Sequence, residues 1–156
     1  MIMCLNQHHL ELLKKGGATT WNTWRQSHPA TVPELHGANL SGIDLSEYNL
    51  STANLREANL ANANLSASDL IEAHLNGANL ANADLSGAHL IEAKLEFCDL
   101  RGANLANADL TGADLSGANL MSANLSGANL NYAHLTDAII TEEQLSSVKS
   151  RLEETF

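Results

Sequence analysis

Leucine returns at every fifth position from Leu35 to Leu135, and Ile140 continues the series. Two residues ahead of most of these leucines stands alanine, as at Ala38, Ala53, Ala58, Ala63 and Ala73. Between the two sits Asn or Asp, as at Asn39, Asp44, Asn54 and Asp84. A helix turns about 100° per residue, so a five-residue step would spread the leucines around every side. A strand sets residues two apart on one face, which suits the Ala and Leu pair, but five is odd and a straight strand would point every second repeat outward. The chain therefore turns a corner once per repeat. With corners near right angles, four repeats close a coil that holds every Ala and Leu inside, and the next coil stacks on it at about 4.8 Å.

The corner chemistry agrees. Eight of the ten glycines, Gly37, Gly42, Gly77, Gly87, Gly102, Gly112, Gly117 and Gly127, fall two residues after a Leu-register position, and Asn62, Asn82 and Asn107 fill the same slot. Gly and Asn tolerate the positive φ of a type II turn. Type II corners are expected at these positions, and a different turn at Glu57, Glu72, Glu92 and Phe97. The Asn and Asp slots read as side chains bonded to turn backbone. The inner slot must stay small; Ser68 and Cys98 obey, while Ile43 and Tyr48, both in the first coil, do not.

The segments HGANLSGIDL, ANANLSASDL and RGANLANADLTGADLSGANL resemble the pentapeptide repeat family over residues 36–140. The resemblance implies a right-handed quadrilateral β-helix; the handedness comes from the family and not from the spacing. GGATTWNTWRQSHPATVPEL is similar to the N-terminal helical segment of pentapeptide repeat proteins common in cyanobacteria. The expected fold is an all-β solenoid of about five coils, with short helical caps at both ends. Residues 1–35 would form the N-terminal helical cap and lead-in, 36–140 the β-helix and 141–156 a C-terminal capping helix.

Stacked coils expose backbone and core at each end, and such edges need covers. At the N-terminus, LNQHHLELLKK reads as a helix stopped by Gly16 and Gly17, and Thr20 to Ser27 as a second helix ended by Pro29. Trp21 and Trp24 share a face that would lie on the first coil. At the other end Thr141 is an N-cap with Gln144 in the capping-box position. Leu145, Val148 and Leu152 form a stripe that covers the last coil or, alternatively, dimerises. With one stripe and one core end to hide, a capped monomer is the expectation.

Composition narrows the chemistry. Hydrophobic residues make up 44% and aromatics only 4%, so Leu and Ala, which bring no catalytic groups, supply the core. A net charge of −10 repels phosphates and argues against direct nucleic-acid binding. Two cysteines, Cys4 and Cys98, make no disulfide framework, and no basic and apolar leader or membrane-length apolar run is present. The cytoplasm is the expected location. His74 and His134 share a column three coils apart, about 14 Å, too far to share a metal ion. No nucleophile stands beside His89, which lies between Asp69 and Asp109 in its column. Neither catalysis nor a cofactor is expected.

Two functions remain in view. One is a non-enzymatic interaction or scaffold module presenting flat faces to another protein. The alternative, implied by the family, is a DNA mimic that modulates DNA gyrase or another nucleic-acid-binding protein. A mimic needs aligned acids, whereas the twelve acids of 36–140 fall four, two, three and three over the four sides. Departures from the repeat concentrate on the fourth side, STANL, IEAHL, IEAKL, TGADL and NYAHL. There Ile71 and Ile91, flanked by Glu72, Glu92, His74 and Lys94, with Tyr132 and His134 further along, form a candidate contact site. The competing explanation is a cross-coil ladder that merely stabilises the stack.

Overall fold

The computed structural model describes residues 2–150, with side chains from residue 7 onward. Its organising feature is a parallel bridge between residues twenty apart, repeated from Glu34 and Asn54 through to Asn119 and Ile139. Four repeats therefore complete one circuit. Each repeat forms one side, and the bridges between coils are centred on its Asn/Asp slot.

The repeat ANANL (61–65) shows why five residues suffice, because each backbone N–H has its own destination. Ala61 N–H donates to Asn59 Oδ1 at 3.2 Å. Asn62 and Leu65 donate to the next coil, at Ala81 O (2.9 Å) and Asp84 O (2.7 Å), and Asn64 donates to the preceding coil at Ile43 O (2.9 Å). Ala63 closes the turn on Leu60 O at 3.0 Å. The Asn/Asp slot is thus a structural acceptor for the one N–H that the stacked backbone leaves over.

Every corner from residue 37 to residue 137 is left-handed at its second slot, with eight glycines and thirteen other residues there. This overturns the expected exception at Glu57, Glu72, Glu92 and Phe97, whose φ values are 57°, 54°, 56° and 60°. The reason is the stack. Glu57 N–H reaches Asn76 O and Phe97 N–H reaches Ser116 O, each at 3.0 Å, and another turn would break those bonds and tilt the ladder on both sides. A left-handed L-residue costs roughly 1–2 kcal/mol, less than several coil-to-coil bonds at about 1 kcal/mol each together with the burial they hold in place.

The leucines from Leu35 to Leu130 are buried along the axis. Within the inner slot Ser68 Oγ donates to Leu65 O at 2.7 Å and Cys98 Sγ to Leu75 O at 2.9 Å. Burial pushes the Cys98 thiol up to about 12. Tyr48, too large for the slot, is buried against the N-terminal segment, its hydroxyl donating to Leu13 O at 3.3 Å.

That segment is α1 (Ile2–Ser27), broken at Gly17 (φ 65°, ψ 177°) where two helices were expected to part. It lies on the first coil and meets the polar groups that a lower coil would otherwise meet. Trp21 is fully buried and its Nε1 donates to Asn49 O at 2.7 Å. Asn22 accepts from Asn49 N–H at 2.8 Å and donates to Glu47 O at 3.0 Å. Arg25 donates to Ser51 O at 3.0 Å and Thr31 O at 2.6 Å. Trp24 is half-buried, its ring 5.1 Å from those of Trp21 and His9.

At the other end Thr141 and Gln144 form the capping box of α2 (Glu142–Ser146), and the Gln144 amide also donates to Leu120 O and Ala123 O at 2.7 and 2.9 Å. The helix is shorter than the expected stripe. Leu145 is its only stripe residue; Val148 lies beyond its end, both half-buried against the core, and Leu152 falls outside the described residues. Two physical causes stop it. Ser146 and Ser147 turn their hydroxyls onto the carbonyls of Glu143 and Gln144. The backbone then gains ladder bonds, Gly127 N–H to Ser147 O, Lys149 N–H to Ala128 O and Leu130 N–H to Ser150 O.

Candidate functional site

The fourth side carries the column Glu34, Asn54, His74, Lys94, Asp114, His134, each bridged to the next. Its first corner slot stacks Ile71 on Ile91, fixed by Glu72 N–H donating to Ile91 O at 2.9 Å. Ile71, Glu72, His74, Ile91, Glu92 and Lys94 therefore form one continuous two-coil patch. Tyr132 and His134 are not part of it, since Thr111, Gly112 and Asp114 intervene in the coil between. Both isoleucines are half-buried, while Glu72, Glu92 and Lys94 are exposed.

Elsewhere the Asn/Asp slot accepts the N–H two residues on, as Asp69 does from Ile71 at 3.1 Å and Asp114 from Ser116 at 3.0 Å. His74, Lys94 and His134 have no carboxylate or amide oxygen to offer to Asn76, Glu96 and Thr136. Of the five departures from Asn or Asp between residues 39 and 139, these three lie on the fourth side; the others are His89 and Ile139.

Electrostatics tie the column to the adjoining corner. The Arg56 guanidinium meets His74 Nδ1. Burial lowers the His74 pKa, Arg56 and Lys94 lower it further, and Glu96 opposes them. Burial works to raise the Asp114 pKa, but the Ser116 hydroxyl and N–H, with His134 and Lys94, hold it below the ordinary carboxylate value. Arg56 and Glu96 escaped the sequence reading because it sorted residues by side, and these two stand across a corner. The usable signal was the charge pattern in their shared slot, His36, Arg56, Asn76, Glu96.

Among the described residues, no three His, Cys, Asp or Glu side chains gather to hold a metal ion, and no helix is long and apolar enough to cross a membrane. Chemically, the side offers flat contact area with hydrogen-bonding and ionic groups at coil spacing, which suits recognition.

Comparison with known proteins places this geometry. A family model for pentapeptide repeats matches residues 34–70, 68–105 and 103–142. The crystal structure of Rfr23, a pentapeptide repeat protein from the cyanobacterium Cyanothece 51142, is 35% identical over 80% of this chain and 97% of its own, with a TM-score of 0.69. A pentapeptide repeat protein of the Arabidopsis thaliana thylakoid lumen is 34% identical over 70% of this chain and 72% of its own, with a TM-score of 0.57. Among curated proteins no sequence matches.

Proposed function

The chain belongs to the pentapeptide repeat family, whose structures are right-handed quadrilateral β-helices, and we propose that it is a non-enzymatic protein-interaction or scaffold module. It is a rod of about five coils, roughly 24 Å tall, closed by α1 at one end and by residues 141–150 at the other. It acts as a monomer and docks another protein on the fourth side, through Ile71, Glu72, His74, Ile91, Glu92 and Lys94, with Tyr132 and His134 as an outlying contact.

The observation that carries this reading is the loss of the turn acceptor at His74, Lys94 and His134. Each omission forgoes a bond worth about 0.5–1.5 kcal/mol, and a stack built only for stability would keep Asn there. Replacing all three, His74→Asn, Lys94→Asn and His134→Asn, tests it. The variant is expected to melt several degrees higher and to lose a protein that the wild type recovers from native extract. If the stabilised variant recovers the same proteins, the fourth side is not the docking face.

The DNA-mimic reading has less support, because the acids of the repeat region are spread over all four sides instead of forming a stripe. A gyrase supercoiling assay separates the two: the interaction module leaves supercoiling unchanged, whereas inhibition by the purified chain favours the mimic.

A further inference from the structure

Five large hydrophobic residues are exposed among the described residues; two of them lie on the first side of the rod, the side of repeats 96–100, 116–120 and 136–140, and a third stands at its far corner, in the first position of the next side. Phe97 is 76% exposed, Met121 54% and Ile139 52%. Phe97 opens this side. Ile139 heads its ladder, above Asp99 and Asn119. Met121 stands at the far corner, one coil above Arg101, fixed by its N–H on Asn119 Oδ1 at 3.1 Å and by Gly102 N–H on its carbonyl at 3.0 Å. Coil spacing of about 4.8 Å and some 3.3 Å per residue along a side place the three backbones at corners of a triangle roughly 8–14 Å on edge.

Phe97 is the least expected of the three. It holds φ 60°, a conformation aromatic residues rarely take, while the same slot one coil below and above is Gly77 and Gly117. Its ring rests on Gly117, where an added Cβ would stand 2.6 Å from ring atoms Cδ1 and Cε1. The glycine is a seat that fixes the ring while its outer face stays in water. An aromatic held in place before binding loses little freedom on binding.

The surroundings are net acidic, with Lys94 and Arg101 the bases among them. By register, Glu96 and Asp137 stand at the Phe97 corner of this side and Glu142 and Glu143 follow its last repeat; these acids outnumber the two bases, of which Arg101 is held by Asp99 at 2.6 Å. We propose that this side is a docking surface for a basic amphipathic helix of a partner protein. Two helical turns span about 10.8 Å, so an apolar stripe of that length covers Phe97, Met121 and Ile139 while flanking Lys or Arg side chains reach the acids. An acidic or nucleic-acid partner would be repelled. A second copy would set the same acids against each other across a two-fold axis, on a chain already at −10. The surface is separate from the fourth side, so each can fail without the other.

The test uses a fluorescein-labelled Leu/Lys peptide of helical period, its Leu/Glu counterpart, and fluorescence anisotropy with the full chain. Saturable binding of the Leu/Lys peptide alone is expected, weakened about tenfold by Phe97→Ser with Met121→Ser, a change that leaves net charge untouched. Met121→Ser with Ile139→Ser, which keeps the Phe97 corner intact, should weaken it as well. Equal binding by wild type and both variants means attraction to the acidic rod alone and overturns the proposal, as does equal binding of the Leu/Glu peptide. Sedimentation showing wild-type self-association that Phe97→Ser abolishes would overturn it in favour of a dimer seam.

Discussion

Gly87→Ala isolates the strain of a single corner. Gly87 has φ +63° and nothing within 4 Å of the position its Cβ would take, so the change adds strain without a clash. A left-handed alanine costs roughly 1–2 kcal/mol, and restricting the unfolded chain returns about 0.5–1 kcal/mol. The net loss centres on about 0.75 kcal/mol, or about 1.5–3 °C in melting temperature for a domain of this size. Gly117→Ala carries the same strain at φ +68° and in addition drives its Cβ to 2.6 Å from the Phe97 ring, which must swing off its seat. Its melting temperature should fall further than that of Gly87→Ala, and adding Phe97→Ser to Gly117→Ala should recover the difference. Thermal melts followed by circular dichroism on the four proteins decide the matter. A Gly87→Ala protein at or above wild-type stability refutes left-handed strain at the corner, and equal losses at the two glycines refute the seated ring.

Leu90→Lys should abolish folding, because Leu90 is fully buried and the ammonium has no partner in the core, whereas Asn124→Ala should cost no more than about 1–2 kcal/mol for its bonds to Ser126 and Asn104; thermal melts compare them. Cys98 should resist iodoacetamide in the native protein and react only on unfolding, since its thiol is buried and pushed up to about 12; mass spectrometry across a urea series reads this. Acid should weaken the N-terminal contact. His9 accepts the Glu34 N–H at 2.9 Å, and burial first, then His8 and Arg25, lower its pKa below the ordinary value of 6.5 against the opposing charge of Glu34. The unfolded chain then binds the proton more readily, so this contribution is complete above about pH 6.5 and is lost as pH falls through the folded-state value. Urea midpoints should decline over that window, and less steeply in His9→Gln; a flat profile would refute the role of His9.

The five-residue period was legible because the arithmetic of Leu35 to Leu135 leaves no regular alternative, and the circuit of four follows once corners are right angles. What local propensity misjudged was the corner. Reading positive φ from Gly and Asn predicted exceptions at Glu57 and Phe97, yet even Thr52, β-branched, stands at 59°. Turn preference belongs to one residue, whereas the stack binds each corner to those above and below, and the collective term wins. The same reasoning applies to the C-terminal stripe. Leu145 and Val148 have helical spacing, but a chain already beside the last coil gains more by joining its ladder at Ser147 to Ser150 than by completing another helical turn.

Surface function was less legible, and the cause is geometric. Stacking by twenty residues orders the columns well, so His74 over Lys94 could be read directly from spacing. Contacts across a corner cannot, because they depend on where long side chains turn: Arg56 reaches back eighteen residues to His74, and the Phe97 ring climbs one coil onto Gly117. Exposure is equally hidden, since Ile71 and Ile91 share a slot with Met121 in the repeat pattern, yet the isoleucines are half-buried and Met121 is exposed. The difference lies in what stacks on each. Ile91 has Ile71 below it and Thr111 above, and each shields the other's flank, whereas Met121 has Arg101 below, drawn away to Asp99 by two bonds at 2.6 and 2.8 Å. In this solenoid, the exposure of a residue therefore depends on what the side chain one coil away is doing as well as on its own slot.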